Sequence, residues 1–197
     1  MIHPDVKPVD DPILRQKSSN ADLSNIKDAQ KIMQKMQSIL EDVATKHNYS
    51  GAYGMSAIQI GVPQSICLIH TPTRGWIPII NPVMTKGNNR SEPGWESCLN
   101  NFDKRGYVER PVSITIDYHA FDTKLEQFTK RSERFRGQEA RLIYQQLDHM
   151  NGVLYTDHIN NPRFIVDYSE YAEYRKDNRL KELVKKINIQ SSDSLYK

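Results

Sequence analysis

The 197-residue sequence predicts an α+β fold. Apolar residues recur at helical spacing in three stretches, and short β-rich runs separated by proline and glycine turns lie between the first two stretches. The predicted order is helix, strands, helix, strand, helix, which differs from the regular alternation of parallel βαβ folds. A chain of this length forms one domain or slightly more and can bury a sizeable core.

The first predicted helix covers residues 23–46, where apolar side chains recur every three or four positions. Ser19, Asn20 and Ser24 precede it and are candidate N-caps, because their side chains can accept hydrogen bonds from free helix N–H groups. The β-rich runs that follow are residues 65–70, 76–80 and 112–118.

A second helix is predicted at residues 139–151, with Gly152 as the residue that closes it, since glycine adopts the left-handed conformation at little cost. A third helix, at about residues 177–189, carries an apolar face. The members of that face are Leu180, Leu183, Val184 and Ile187.

The charge of the chain is concentrated at its C-terminus. The formal total is only +3 and does not call for a polyanionic partner such as DNA. Residues 171–197 alone hold seven Lys or Arg against four Asp or Glu, a net charge of +3. We therefore predict a main domain at residues 1–170, followed by a basic amphipathic C-terminal helix and tail at 171–197.

The cysteine content and the hydropathy indicate a cytoplasmic protein. Only two cysteines, Cys67 and Cys98, are present, which argues against a disulfide scaffold and fits a reducing compartment. No apolar run approaches the ~20 residues of a membrane span. The acidic N-terminus, with Asp5, Asp10 and Asp11, resembles neither a secretory signal nor a transit peptide.

The most informative motif is Y-Q-Q-L-D-H-M-N-G at residues 144–152. Residues 145–149 align with the pattern H-E-x-x-H, in which two histidines one helical turn apart hold a metal and the glutamate activates water, but they keep only part of it. Only the second histidine, His149, is present. Gln145 stands where the first ligand belongs, and Gln146 stands where the general base belongs.

Two further motifs accompany it. Residues 54–61 read G-M-S-A-I-Q-I-G, and residues 96–100 read E-S-C-L-N. The chain thereby resembles the peptide deformylases, whose motifs G-L-A-A-x-Q-I-G, E-G-C-L-S and Q-H-E-x-D-H-L-x-G occur in the same order. The resemblance covers roughly residues 5–165. It implies a peptide-deformylase-like fold, with short antiparallel or mixed sheets around a central motif-bearing helix and with N-terminal and C-terminal helices.

The resemblance also implies a metal site. Its three ligand positions are Cys98, Gln145 and His149, and the family's metal is a divalent ion such as Fe or Zn. A thiolate and an imidazole bind such ions well, whereas a neutral carboxamide oxygen is a poor substitute for the missing imidazole. We therefore expect weak or absent metal occupancy. Outside the motif, Cys98 would be interpreted as a small core residue and His149 as a structural histidine.

The catalytic and substrate-binding residues are likewise implied by the resemblance. Gln59 and the backbone N–H of Leu99 correspond to the groups that stabilise the oxygen on which negative charge develops. Gln146 replaces a proton-transferring glutamate and cannot titrate near neutral pH. The matching substrate-binding positions are Gly54, Met55, Ser97 and Leu142. Gly54 corresponds to a bare backbone position that lets a peptide pair as an added strand.

Two remaining residues have less direct roles. Asp148 matches a carboxylate that supports the ligands. His158 lies beyond Gly152, so it cannot share the helix face of His149 and is not expected to replace a missing group.

Three functions are compatible with the sequence. In the first, the protein retains recognition of N-formyl-methionyl chain ends but has impaired or no metal-dependent deformylation, as a pseudoenzyme would. In the second, it is an active metal-dependent deformylase that releases formate, with Gln145 as a ligand through its amide. In the third, the site is vestigial and the protein binds the ribosome. The residues that would contact ribosomal RNA are Lys176, Arg179, Lys181, Lys185 and Lys186, with a second basic patch at 130–136.

Overall fold

The computed structural model describes residues 3–122 and 125–192. Its helices are α1 (Ile26–Lys46), α2 (Gly137–Met150), α3 (Tyr168–Lys176) and α4 (Leu180–Ser192). Its strands are β1 (Tyr53–Ser56), β2 (Ile66–Thr71), β3 (Gly75–Gly87), β4 (Ser91–Glu96), β5 (Lys104–Pro111), β6 (Ser113–Asp122), β7 (Gln127–Arg136) and β8 (Ile165–Asp167).

The strands form two antiparallel sheets. One sheet has five strands in the order β1-β2-β3-β6-β7, and the other has three in the order β4-β5-β8. Helix α2 packs against strands of both sheets, so the motif-bearing helix is central. The α+β prediction is confirmed. No helix within the described ranges is long and apolar enough to cross a membrane.

Helix α1 covers the β1 end of the larger sheet. It begins after Asn25, whose side chain accepts a hydrogen bond from the N–H of Asp28 at 3.2 Å, so the N-cap is Asn25 and none of the three predicted candidates. Its apolar face is buried, as the spacing predicted. The buried members of this face are Ala29, Met36, Ile39 and Leu40.

Helix α2 ends as the sequence predicts. Asn151 is its C-cap, and Gly152 follows with φ of +74°, in the left-handed region that favours glycine. A Cβ at Gly152 would also lie 2.5 Å from the carbonyl oxygen of Arg15. Glycine is therefore required there both for the turn and for the close passage of the N-terminal segment.

The C-terminal region contains two helices where one was predicted. A turn at Asn178, which has φ of +56°, separates α3 from α4. Leu183 and Ile187 of α4 are buried with Val166 of β8, so the predicted apolar face packs against the smaller sheet. The division of the chain at residue 170 stays a prediction, and residues 193–197 of the predicted tail lie outside the described residues.

Candidate active site

A cleft of about 700 Å³ lies between α1, α2, α3 and the β4–β5 connection. Six of the ten residues predicted for catalysis, substrate binding or metal binding line it: Gly54, Ser97, Cys98, Leu99, Leu142 and Gln145. Gln59, Gln146 and His149 are at most 1% exposed and lie behind the cleft wall. The predicted residues are thus divided between an open cleft and a sealed interior.

The side chain of Met55 lies in the core. It is fully buried with residues of α1 and β2 and does not line the cleft. A substrate-binding role for Met55 stays a prediction.

Gly54 lies in the same edge strand, paired with Ile69 of β2. A Cβ at Gly54 would lie 2.5 Å from Cγ2 of Ile69 and 2.8 Å from the carbonyl oxygen of Leu68. The structure therefore requires glycine here because of packing within the sheet. The open edge of β1 remains next to the cleft.

Gln145 is held by a buried carboxylate. Its Nε2 donates a hydrogen bond to Oε2 of Glu96 at 3.1 Å, and Glu96 also accepts a two-pronged pair of bonds from Arg110, each 2.9 Å long. Arg141 donates a further bond to Oε1 of Glu96 at 2.9 Å. Metal-ligating histidines usually donate their second N–H to such a carboxylate, so Glu96 provides that partner while the amide takes the place of the imidazole.

Gln146 is bonded to a serine from the first motif. The Ser56 hydroxyl lies 3.0 Å from Oε1 of Gln146 and 3.0 Å from its carbonyl oxygen. One hydroxyl hydrogen can serve only one of these acceptors at a time. Ser56 occupies a position where the family motif has alanine, and Gln146 one where it has glutamate. The bond therefore connects two residues that differ from the family pattern.

Gln59 is bonded in a similar way. Its Oε1 accepts from the N–H of Ser56 at 2.8 Å, and its Nε2 donates to Oδ1 of Asn100 at 2.5 Å. Asn100 in turn donates to the carbonyl oxygen of Lys7 at 2.6 Å. One of the two N–H donors of the Gln59 amide, the group that would stabilise developing negative charge, is therefore engaged by Asn100, a residue that replaces the family's serine.

His149 has no such partner. It is fully buried, and neither ring nitrogen forms a hydrogen bond within the described part of the chain. Burial and the positive charge of Arg110 lower its pKa to about 4, so the imidazole is neutral at pH 7. A neutral imidazole with unused nitrogens suits metal binding.

The remaining ligand positions fit a metal less well. Burial raises the pKa of the Cys98 thiol to about 11, so it is protonated at neutral pH unless a cation displaces the proton. Gln145 supplies a neutral amide. Among the residues that the structure describes, no group of three or more His, Cys, Asp or Glu side chains could hold a metal ion. Cys98, Gln145 and His149 therefore do not form the complete Cys-His-His site of the family.

Asp148 and His158 meet in a position that sequence reasoning missed. Nε2 of His158 lies 2.8 Å from Oδ2 of Asp148, which also accepts a 2.6 Å bond from Arg110. His158 reaches Asp148 because the chain turns back after α2 into the short 3-10 helix Tyr155–His158. It supports the Arg110 cluster and does not bond to His149.

Comparisons with known proteins identify the family of this chain. The family model for polypeptide deformylase matches residues 4–164. Among curated relatives, a peptide deformylase from Agrobacterium fabrum is 33% identical over 154 residues, covering 76% of this chain and 83% of the relative. One from Finegoldia magna is 29% identical, covering 77% and 86%.

Among solved structures, a Met-Ala-Ser-bound class I type b peptide deformylase from Acinetobacter baumannii shares the fold. It has a TM-score of 0.65 and 20% sequence identity, and the match covers 81% of this chain and 99% of that one. The peptide-deformylase-like fold predicted from the motifs is confirmed. This chain belongs to the peptide deformylase family.

Proposed function

We propose that the protein binds N-formyl-methionyl chain ends in its cleft and hydrolyses them poorly or not at all. The family acts on formylated nascent peptides, and the Met-Ala-Ser complex of the Acinetobacter relative is a precedent for peptide binding in this fold. Leu99, Leu142 and Ser97 line the cleft and offer a mixed apolar and polar surface for the methionyl end. Such a protein would work where translation occurs, in the cytoplasm.

The observation that carries this proposal is the environment of Gln146. A deformylase base must accept a proton from water and return one to the leaving amine, and a primary amide does neither near neutral pH. Gln146 is 1% exposed and bonded to Ser56, so it lies away from the cleft. The bond to Asn100 also occupies one N–H donor of Gln59, the residue that matches the family's oxyanion-stabilising glutamine.

The second candidate is an active metal-dependent deformylase, and His149 is the observation that favours it. Two buried ring nitrogens without partners leave polar groups unsatisfied, which is costly unless something binds them. A metal held by His149 and Cys98 would supply that partner.

Metal analysis and two assays on the purified protein distinguish these functions. We expect substoichiometric Fe or Zn, no formate release from formyl-Met-Ala-Ser, and saturable binding of that peptide by calorimetry. Full metal occupancy with turnover of ~1 to 1000 per second would instead establish an active enzyme. Absence of both binding and turnover would contradict the proposal.

A matched pair of variants tests whether the peptide binds in the cleft. Leu142→Arg places a large side chain in the cleft and should abolish peptide binding. Leu125→Arg makes the same change at a leucine that is 60% exposed and does not line the cleft, and it should have no effect.

A further inference from the structure

Helix α3 forms a wall of the cleft that the family pattern does not specify. The family model ends at residue 164, whereas Tyr168, Tyr171, Arg175 and Lys176 of α3 all line the cleft. The matched range of the family model therefore does not include this wall of the cleft. What these residues bind depends on their charge.

Arg105 lies where α3 meets the β4–β5 connection. Its guanidinium lies 4.4 Å from the ring centre of Tyr168, 5.5 Å from that of Phe102 and 5.7 Å from that of Tyr171, so aromatic faces hold its plane. Its Nη1 donates to the carbonyl oxygens of Phe102 at 2.8 Å and Lys104 at 2.7 Å. Both of these bonds use Nη1, which leaves the donors on Nε and Nη2 for a ligand.

The charge of Arg105 is not neutralised locally. Arg105 forms no ion pair within residues 3–122 and 125–192. Burial lowers its pKa, the tyrosine hydroxyls around it oppose that shift, and the positive charge of Arg175 adds a smaller lowering. Half-buried Arg105 and exposed Arg175 both line the cleft, and two like charges there favour the binding of an anion.

The cleft offers no competing carboxylate. Glu96 is the one acidic residue among the described residues that line it, and its side chain is 3% exposed. Arg110 and Arg141 already neutralise Glu96. Among the described residues, no carboxylate that lines the cleft is left to pair with Arg105 or Arg175, so both can contact an anionic group of a bound molecule.

We propose that Arg105 and Arg175 form a carboxylate subsite that selects peptides with an acidic side chain downstream of the methionyl residue. This proposal rests on the proposed function, because it assigns a specificity to the same cleft. The bidentate geometry of guanidinium groups matches a carboxylate, and the surrounding rings shield the contact from water.

The test compares peptides that differ by one side chain. Formyl-Met-Ala-Glu amide and formyl-Met-Glu-Ser amide are titrated into the protein beside their Gln counterparts, with the C-terminus amidated so that the side chain is the only carboxylate. One Glu peptide should bind about tenfold more tightly than its Gln match, in the range of a charge-assisted hydrogen bond. The preference should shrink as salt is raised, because part of it is electrostatic.

Variants assign the preference to the two arginines. Arg175→Gln, at an exposed position in the last turn of α3, should reduce the preference for the Glu peptide to about threefold. Arg105→Gln should abolish the preference. The control, Lys181→Gln, removes an exposed charge outside the cleft and should leave the preference unchanged.

Unformylated versions of the same peptides separate this inference from the proposed function. If formylated and unformylated peptides bind equally well but both prefer Glu, the subsite stands and formyl recognition is wrong. If formyl peptides bind with no preference for Glu at either position, the subsite is wrong, and if no peptide binds, both proposals are wrong. Tighter binding of a short RNA than of any Glu peptide, lost in Arg175→Gln, would overturn the subsite in favour of phosphate recognition.

Discussion

The sealed interior and the open outer cleft of this protein differ in how their polar groups are satisfied. In the interior, Gln146 bonds to Ser56 and Gln59 bonds to Asn100, so three substituted positions are bonded within the site. In the outer cleft, Arg105 and Arg175 have no carboxylate partner within the described residues. The polar groups of the interior are therefore engaged by one another, whereas the two arginines of the outer cleft have donors left for a ligand.

The largest effect is expected from rebuilding the interior. Gln145→His should strengthen metal binding, since Glu96 already accepts a hydrogen bond from that position. Adding Gln146→Glu should produce formate release, because a general base contributes about 10²- to 10⁴-fold. Adding Asn100→Ser should raise the rate about another 10²-fold, by freeing Gln59 to act on the developing charge.

Metal stoichiometry and formate release for the single, double and triple variants test this series. Asn100→Ser alone should gain nothing, since groups that act as a unit are not additive. A folded triple variant that stays metal-free and inert would show that the site has diverged further, with Ser97 as the next position to examine.

The second-largest effect is expected from the buried ion-pair cluster of Arg110, Glu96 and Asp148. Arg110 is 2% exposed and bonds Glu96 and Asp148, so Arg110→Met leaves Glu96 with Arg141 as its remaining cation and Asp148 with His158 alone. We expect a loss of about 3 to 5 kcal/mol in the free energy of unfolding, measured by urea denaturation. Arg90→Met breaks an exposed pair with Glu92 and should cost less than about 1 kcal/mol. Equal losses in the two variants would contradict the role assigned to Arg110.

The third prediction concerns whether the C-terminal helices, of which α3 forms a wall of the outer cleft, unfold together with the rest of the chain. Leu183 of α4 is fully buried, and Leu183→Ala should cost about 2 to 5 kcal/mol. One cooperative urea transition is expected if the C-terminal helices unfold with the rest of the chain. Two separate transitions would support an independent unit at residues 171–197. Leu125→Ala, at an exposed leucine, is the control.

The smallest effect is expected for ribosome binding, which stays a prediction. Two of the tail cations are paired within the chain, Lys186 with Glu170 at 2.8 Å and Arg179 with Glu182 at 2.9 Å. Lys181→Gln with Lys185→Gln should weaken cosedimentation with ribosomes and reduce its salt dependence by about one unit of slope per lost phosphate contact. Unchanged sedimentation and slope would remove the tail as a determinant.

Sequence patterns predicted the elements whose burial follows a simple period. The helical spacing of apolar residues located α1 and α2, and β-branched runs located β2, β3 and β6. Strand β4 was missed because it reads S-E-P-G-W-E, with a proline and a glycine that disfavour strands, although its pairing with β5 stabilises it. The sequence did not predict strand β5 because charged residues interrupt its apolar pattern. One of them, Arg110, can be buried because it pairs with a carboxylate.

The motifs located the site residues but could not show their partners. Ser56 and Gln146 are 90 positions apart, and nothing in either motif indicates that they bond. His158 was set aside because it lies beyond the helix end, yet a tight turn returns it to Asp148. The one available signal was that Ser56, Asn100, Gln145 and Gln146 all depart from the family pattern, which suggests that they changed together.

The Asn100 bridge has a consequence for how this lineage can change. Asn100 satisfies Gln59 and the backbone of Lys7 at once, so a single change to serine removes the present partner of a buried donor and of a part-buried acceptor. Each such group costs about 1 to 3 kcal/mol, a large part of the ~5 to 15 kcal/mol that holds a typical domain folded. Stepwise mutation back toward the ancestral arrangement must therefore pass through less stable proteins before any catalytic benefit appears, and selection for stability alone opposes the return.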